Sequence, residues 1–405
     1  MPTGALLAHP GTQYSFNLAR ELSRHGNLSS FYTSVAINGE SSLARQFSAF
    51  VKILGKQKEW QNRLFYGVPA GKVHSYPALE VSAFLRTRRG QPGLSVLRGR
   101  NDRLQQKIPD GAMAEAQAVI GFDTSSQILA ARARALGKKF ILDRSIGYAR
   151  GVNGLFEQLH DRFPEWPDTW AKKPEANLEI EDREHLLAHL IVVPSRFVAQ
   201  TLIAAGVPPT KIRINPFGTD LQTFTVAPDS PIHGPLVFLF VGALTARKGL
   251  PLLLQAWSKL KPTRAELWIV GTGDVPNEVC RRSPASVRWI GPLSREDLPG
   301  VFQQANVFVF PSYFEGLAQV QIEALACGIP VIGTKASGAE EVVEEGLTGF
   351  LIEPGNLEQL VERLEQFIAR PALAREMREQ VKAKRAGLGW SGYGDRWNRI
   401  LQELN

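Results

Sequence analysis

Two carboxylates, Glu315 and Glu323, lie close together in the stretch Pro311-Ser312-Tyr313-Phe314-Glu315-Gly316-Leu317-Ala318-Gln319-Val320-Gln321-Ile322-Glu323-Ala324-Leu325-Ala326-Cys327-Gly328-Ile329-Pro330-Val331-Ile332. The apolar run at 307–310 reads as a buried parallel strand, which Pro311 stops. Gly316 then opens a turn into a helix that carries Leu317, Val320, Ala324 and Leu325 toward a core. Glu315 is therefore expected at a strand's carboxyl end and Glu323 on the helix above it. Free amides at 317–319 would make the start of that helix an anion site. A carboxylate accepts from hydroxyls, and a helix N-terminus holds negative charge. Together they suit a sugar attached to a phosphate.

A second constellation is Phe240-Val241-Gly242-Ala243-Leu244-Thr245-Ala246-Arg247-Lys248-Gly249, a strand running through a loop into a new helix. Gly242 lets the backbone approach a ligand, and Arg247 and Lys248 offer adjacent cations. A nucleoside diphosphate gains negative charge as its bond to a sugar breaks. Fixed cations aimed at it stabilise the transition state more than the ground state. The turns Gly271-Thr272-Gly273 and Gly291-Pro292-Leu293 follow two further apolar strands. Ligands of open α/β sheets lie beyond such strand ends, where glycines leave room for a base.

The Glu315/Glu323 segment resembles the Glu-x7-Glu signature of retaining GT-B glycosyltransferases, in particular glycosyltransferase family 4. The surrounding Pro-Ser, Glu-Gly and Glu-Ala-Leu-Ala-Cys-Gly-Ile-Pro-Val-Ile context makes the match specific. The resemblance implies that Glu323 binds the ribose hydroxyls of the nucleotide and that Glu315 contacts the transferred sugar. The amides of Gly316, Leu317 and Ala318 would hold the diphosphate. Gly242, Gly271 and Leu293 would border the nucleotide. Lys248 matches the family's diphosphate-contacting lysine, whereas the usual arginine after the first glycine is Ala243 here. Arg247, four residues on, is the candidate to supply the missing guanidinium. Gly11, in His9-Pro10-Gly11-Thr12-Gln13, matches a glycine-bearing loop that borders donor and acceptor. His9 reads either as an acceptor or phosphate contact or as a structural histidine. Asp123 stands where many relatives place a histidine that touches the sugar, and it completes the candidate catalytic set of Glu315, Lys248, Arg247 and Asp123.

Short apolar strands alternate with helical patterns along nearly the whole chain, the mark of an α/β protein with parallel sheets. In the first half, strands are predicted at 4–8, 118–122, 139–142 and 190–194, with a helix over 12–25 that ends at Gly26. Residues 40–110 show no clear pattern, and 163–170 reads as loop. In the second half, strands are predicted at 236–242, 265–271, 287–290, 307–310, 330–333 and 349–352. The break falls near Asn215-Pro216-Phe217-Gly218-Thr219-Asp220, followed by a Pro/Asp/Ser/Gly-rich linker at 227–235. The expected organisation is the GT-B one, an α/β fold with two Rossmann-like domains facing a central cleft. The acceptor domain would span 1–217 and the nucleotide-sugar domain 218–387. The last helix, 388–405, carries Tyr393, Trp397 and Ile400 at helical spacing and is expected to cross back onto the first domain.

Charge is uneven along the 405 residues. Residues 1–107 hold 15 Lys and Arg against 5 Asp and Glu, a net of +10, whereas the other 298 carry 32 against 34. Arg86, Arg88, Arg89, Arg98, Arg100 and Arg103 form the densest cluster. This region reads as a solvated surface or as a contact for an anionic membrane or lipid-linked acceptor. No nucleic-acid module accompanies it, so nucleic acid is not an expected partner. The two cysteines, Cys280 and Cys327, belong to no metal or disulfide pattern and fit a reducing cytoplasm. The N-terminus reads as a first strand and not as a signal peptide, and no apolar stretch approaches the length of a membrane span. No Asp-x-Asp and no metal-ligand spacing occurs, so neither metal nor cofactor is expected. The reading is a cytoplasmic, membrane-associated retaining glycosyltransferase (a metal-independent hexosyltransferase) using a nucleotide sugar and a glycan or lipid-linked acceptor. Another GT-B enzyme (a phosphorylase or epimerase) and a non-catalytic sugar- or nucleotide-binding protein, which Ala243 and Asp123 would favour, are its rivals.

Overall fold

A computed structural model describes residues 4–11, 14–39, 63–152, 154–167, 173–226 and 234–404. Thr12 and Gln13 at the expected start of the first helix, 168–170 of the expected loop and 227–233 of the expected linker lie outside the described residues. So does the stretch 40–62 of the patternless region.

Two parallel sheets carry the fold. The first contains β1 (Ala5–Ala8), β2 (Leu28–Thr33), β5 (Val73–Ser75), β6 (Ala118–Phe122), β7 (Lys139–Asp143), β8 (Leu190–Val193) and β9 (Ile212–Ile214), in the order β5-β2-β1-β6-β7-β8-β9. A separate two-stranded ladder joins β3 (Ile37–Asn38) to β4 (Leu64–Phe65). The second sheet contains β10 (Leu236–Val241), β11 (Ala265–Val270), β12 (Val287–Gly291), β13 (Val307–Phe310), β14 (Val331–Thr334) and β15 (Gly349–Ile352), in the order β12-β11-β10-β13-β14-β15. Each order reverses direction once, between β1 and β6 and between β10 and β13, and a crevice forms at such a switch point. All residues of β10 and β13 are buried, as expected of strands covered on both faces.

The helices that matter for the site are α1 (Ser15–Arg24), α2 (Pro77–Arg88), α3 (Gly93–Lys107), α4 (Gln127–Ala135), α5 (Glu175–Leu187), α6 (Arg196–Ala204), α7 (Leu250–Leu260), α8 (Gln319–Ala326) and α9 (Trp390–Gln402). Gly26, at a φ of +72°, ends the turn after α1 as the sequence indicated. Three strands of the seven-stranded sheet, and the two-residue strands β3 and β4, were invisible in the sequence. β2 reads Leu-Ser-Ser-Phe-Tyr-Thr, so its serines interrupt the apolar run, and β5 and β9 are three-residue strands at the sheet's edges.

The last helix crosses back onto the first domain, as expected. Trp390, Tyr393, Trp397, Ile400 and Leu401 of α9 share a core with Ala5, Leu7, Leu18 and Leu22. A methyl group on Gly394 would collide with the Glu21 side chain, so this glycine sets how closely α9 approaches α1. The seam is then fixed by polar contacts. Arg24 pairs with Asp395 at 2.6 Å, and Arg396 donates to Asn215 Oδ1 at 2.7 Å. The two strands of chain that pass between domains are themselves joined, Thr219 N donating to Leu388 O at 2.8 Å.

Candidate active site

The candidate site is built at the carboxyl ends of β10 and β13. Gly249 precedes α7 at a φ of +78°, and a side chain there would run into the Pro311 carbonyl. This close approach lets Arg247 O accept from both Tyr313 N (2.8 Å) and Ser312 Oγ (3.0 Å). The two loops that sequence analysis singled out separately are thus stitched into one surface. On it, Arg247 Nη1 donates to Glu315 Oε1 at 2.7 Å and to Phe314 O at 2.5 Å. Lys248 Nζ pairs with the same carboxylate oxygen, and Ser312 Oγ donates to it at 3.1 Å. Glu315 is buried. Burial pulls the Lys248 ammonium below its ordinary value, and the Glu315 charge offsets part of that pull. A half-buried pair of cations on one buried carboxylate is a fixed electrostatic arrangement, suited to charge that develops on a ligand.

The amides expected to bind a diphosphate are only partly available. Ala318 departs from the expectation, because its amide donates to Ser337 O at 3.1 Å where that loop crosses the start of α8. The amides of Gly316 and Leu317 have no acceptor among the described residues. Glu323 lies on α8, almost fully buried, with Arg295 Nη2 3.3 Å from its Oε1. Burial raises the Glu323 carboxyl above its usual range, and Arg295 opposes the rise. Gly242 and Gly271 adjoin, since a side chain on Gly271 (φ +150°) would meet the Gly242 carbonyl. Leu293 lies two residues past β12 and packs against the second domain's core.

The first domain closes directly over this surface. Ser195, the N-cap of α6, donates from Oγ to Gly316 O at 2.5 Å, and Gly147 N donates to Glu315 O at 3.3 Å. Phe314 meets Phe156 and Phe197 edge to face. A methyl on Gly316 would overlap the Ser145 carbonyl, so the residue at this position must be small for the domains to meet. Ser145 in turn donates from N (3.4 Å) and Oγ (3.3 Å) to Asp123 Oδ1, which ties Asp123 to the loop that faces Gly316.

Among the described residues no hydrogen bond or ion pair joins His9 or Gly11 to Glu315. The His9 ring is buried edge-on to Phe122, its Nδ1 within 2.9 Å of Gly11 O and 3.0 Å of Gly11 N. Burial lowers His9 to about 4, so the ring is neutral at pH 7. Deeper in this domain, Asp143 accepts from Tyr14 Oη at 2.9 Å and from Tyr393 Oη at 3.0 Å. Glu184 accepts from the amides of Thr124 (2.8 Å) and Ser126 (2.7 Å), fixing Thr124 in a left-handed conformation at a φ of +64°. Burial lifts Asp143 to about 7 and Glu184 to about 8.

Sequence reasoning missed Ser145, Ser195, Arg295, Asp143 and Glu184. Ser195 carried a usable signal, a Pro-Ser pair at a strand end before a helix. Arg295 follows the Gly-Pro-Leu turn already noted. A cavity of about 890 Å³ opens between the domains beside Arg295 and Gln319 on one side and Tyr14 and Ser145 on the other. Arg295, the partner of Glu323, lines it, whereas Glu323, Lys248 and Glu315 do not.

Comparison with known proteins gives this arrangement a setting. Residues 225–384 match the family model of glycosyl transferases group 1. The amylovoran biosynthesis glycosyltransferase AmsK of Erwinia amylovora is 29% identical over 184 residues, 42% of this chain and 45% of that protein. The lipopolysaccharide 1,2-N-acetylglucosaminetransferase of Salmonella typhimurium is 28% identical over 270 residues, 62% of this chain and 65% of that protein. The chain thus spans about half to two thirds of the length of these relatives. The crystal structure of Anabaena HepE in complex with UDP superposes with a TM-score of 0.65 at 15% identity, covering 99% of this chain and 100% of that one. The fold is therefore GT-B, and the stretch that carries Arg247, Lys248, Glu315 and Glu323 is the one that matches the group 1 glycosyl transferases.

Proposed function

We propose that this chain is a retaining glycosyltransferase of the family 4 type. It moves a hexosyl unit from a nucleotide sugar onto a glycan or lipid-linked acceptor, in the assembly of a surface polysaccharide or glycolipid. The observation that carries the reading is the convergence of Arg247 and Lys248 on buried Glu315, under first-domain loops that meet Gly316. In this reading Glu315 accepts from hydroxyls of the sugar while the two cations face the diphosphate. As the bond from the anomeric carbon to the phosphate oxygen breaks, the diphosphate gains charge, and Lys248 and Arg247 stabilise it. The acceptor oxygen attacks from the same face, and the departing phosphate oxygen takes its proton. No separate general base is required. Glu323 accepts from the ribose hydroxyls once Arg295 gives way, and the amides of Gly316 and Leu317 serve the diphosphate. Arg247 fills the place left by Ala243. The side-chain cations do this without a metal.

The relatives' names support polysaccharide or lipopolysaccharide assembly, and the UDP bound to HepE supports a nucleotide donor. The setting in this reading is the cytoplasm, at an anionic membrane surface, in keeping with the +10 charge of residues 1–107. Among the described residues no helix is long and apolar enough to cross a membrane. The test is isothermal titration against a panel of nucleoside diphosphates and nucleotide sugars in EDTA. Binding of one nucleotide class is expected. Silence across the panel would overturn the donor assignment.

A further inference from the structure

The first domain brings two arginines onto one carboxylate. Arg63 immediately precedes β4, where Ile37 N donates to its carbonyl at 2.9 Å. Arg100 lies on α3, and Glu80 lies in the first turn of α2. The three converge at one atom, with Arg100 Nη1 2.8 Å and Arg63 Nη2 3.5 Å from Glu80 Oε1. Asn101 Oδ1 accepts from Arg100 Nε at 3.2 Å and from Nη2 at 3.0 Å, which fixes the plane of that guanidinium. Both arginines are half-buried and remain within reach of a ligand. The cluster stands at the carboxyl ends of β1 and β2. Ser34 Oγ, just past β2, lies within hydrogen-bond reach of both Glu80 Oε1 (2.6 Å) and the carbonyl of Pro10, just past β1. Ligands of open parallel sheets lie beyond such ends, and Ser145, which meets Gly316, follows β7 at the same end.

The charges of this cluster do not balance. Among the described residues, Glu80 is the one acid paired with either arginine. His9, close enough for Arg100 and Arg63 to add to the lowering that burial causes, is neutral at pH 7. Two guanidiniums against one carboxylate leave a single positive charge in excess. Burial pulls Arg100 below its ordinary value, Glu80 opposes that pull, and Arg63 adds to it. Arg63 Nη1 is buried with no hydrogen-bond partner among the described residues. A buried charged donor without an acceptor is costly, so the cluster lacks one more oxygen-bearing anion. A guanidinium fork matches a carboxylate with two parallel bonds. A singly charged carboxylate would neutralise the cluster, whereas a phosphate monoester, with nearly two charges at pH 7, would overshoot.

We propose that Arg63 and Arg100 bind a carboxylate on the acceptor, which is therefore an acidic glycan of the uronic acid class. This rests on the transferase reading, and its test reads acceptor binding apart from the nucleotide titration that tests that reading. Full-length protein is titrated by saturation-transfer NMR with methyl uronides and the matching neutral methyl hexosides of gluco, galacto and manno configuration, and with glucose 6-phosphate. At least one uronide is expected to bind about ten-fold or more tightly than its neutral partner, the worth of a charged hydrogen bond. Arg63→Ala and Arg100→Ala should each erase that preference. Glu80→Gln removes the competing charge and keeps an acceptor oxygen for Arg100, so it should raise the preference, which an ion cluster of purely structural use would not do. Lys248→Ala on the second domain and Arg89→Ala, an exposed arginine that follows α2, should leave it unchanged. Circular dichroism reports the fold of each variant, and the wild-type comparison stands even if one fails to fold. Equal binding of every uronide and its neutral partner, or stronger binding of glucose 6-phosphate than of any uronide, would overturn the proposal. So would a preference that survives both arginine substitutions, one that Glu80→Gln abolishes, or one lost in Lys248→Ala, since the anion would then sit with the donor groups.

Discussion

Glu315 of the second domain and Asp143 and Glu184 of the first are buried carboxylates with opposite kinds of partner. On the second-domain face, Glu315 is pinned by the cations Arg247 and Lys248. On the first-domain face, Asp143 and Glu184 are held by neutral donors, the hydroxyls of Tyr14 and Tyr393 and the amides of Thr124 and Ser126. Burial raises Asp143 and Glu184, and the hydrogen bonds from their neutral donors oppose only part of that rise. A carboxylate held between a guanidinium and an ammonium lies among formal charges that can face a ligand. A carboxyl lifted to about 7 or 8 is a hydrogen-bonding strut that positions loops. In the proposed function the charged groups that face the diphosphate belong to the second domain, and the first domain's loops meet it at Gly316.

The strongest test of that contrast is Lys248→Ala. If the cation faces charge developing in the transition state, turnover should fall by about 10²–10³, equivalent to ~3–4 kcal/mol by analogy with a lost oxyanion donor. Nucleotide affinity should change much less, which steady-state kinetics and titration read separately. Equal losses in kcat and affinity would reduce Lys248 to a binding group. Glu323→Ala comes next. Loss of a buried acceptor of ribose hydroxyls should weaken nucleotide binding by about 1.5–3 kcal/mol, the worth of a charged hydrogen bond. Titration against the preferred nucleotide measures this. An unchanged Kd would remove Glu323 from the donor site and leave it as a partner of Arg295 alone.

The same contrast explains what could be read without a structure. Arg247 and Lys248 are adjacent in sequence, and Glu315 to Glu323 is a single loop and helix, so local spacing carried the chemistry. The alternation of strands with helices gave the second sheet in full, because its six strands are apolar runs ended by Gly or Pro or by polar turns. The first domain was opaque for the opposite reason. Asp143 meets Tyr14 across 129 residues and Tyr393 across 250. No local pattern announces a site whose members come together only when α9 returns to α1. The Ala318 amide was misjudged similarly, since its acceptor on Ser337 belongs to another loop.

The smallest expected effect tests the first-domain half of the contrast. Asp143 titrates near 7 in the folded chain and near the ordinary 3.8 when unfolded. Between those values the folded state holds a proton that the unfolded state has released. The contribution of Asp143 to stability is therefore complete below about 3.8, declines as pH rises, and is gone above about 7. Glu184 acts in the same direction up to about 8, whereas His9, lowered to about 4, makes stability rise with pH from there to about 6.5. The wild-type curve mixes these slopes, so the informative quantity is the difference from Asp143→Asn, which cannot titrate and keeps an oxygen acceptor for one tyrosine. Wild type should lose on the order of 1–2 kcal/mol relative to the variant between pH 5 and 7 and then run parallel to it. Urea denaturation at half-unit pH intervals measures that difference. Nucleotide affinity in the variant should be unchanged, because Asp143 lies behind Tyr14 and Tyr393 and touches no donor group. A flat difference curve would mean that Asp143 stays ionised on folding. The two faces would then differ in their partners and not in their charge, and a titrating acid on the acceptor side would have to be sought at Glu184.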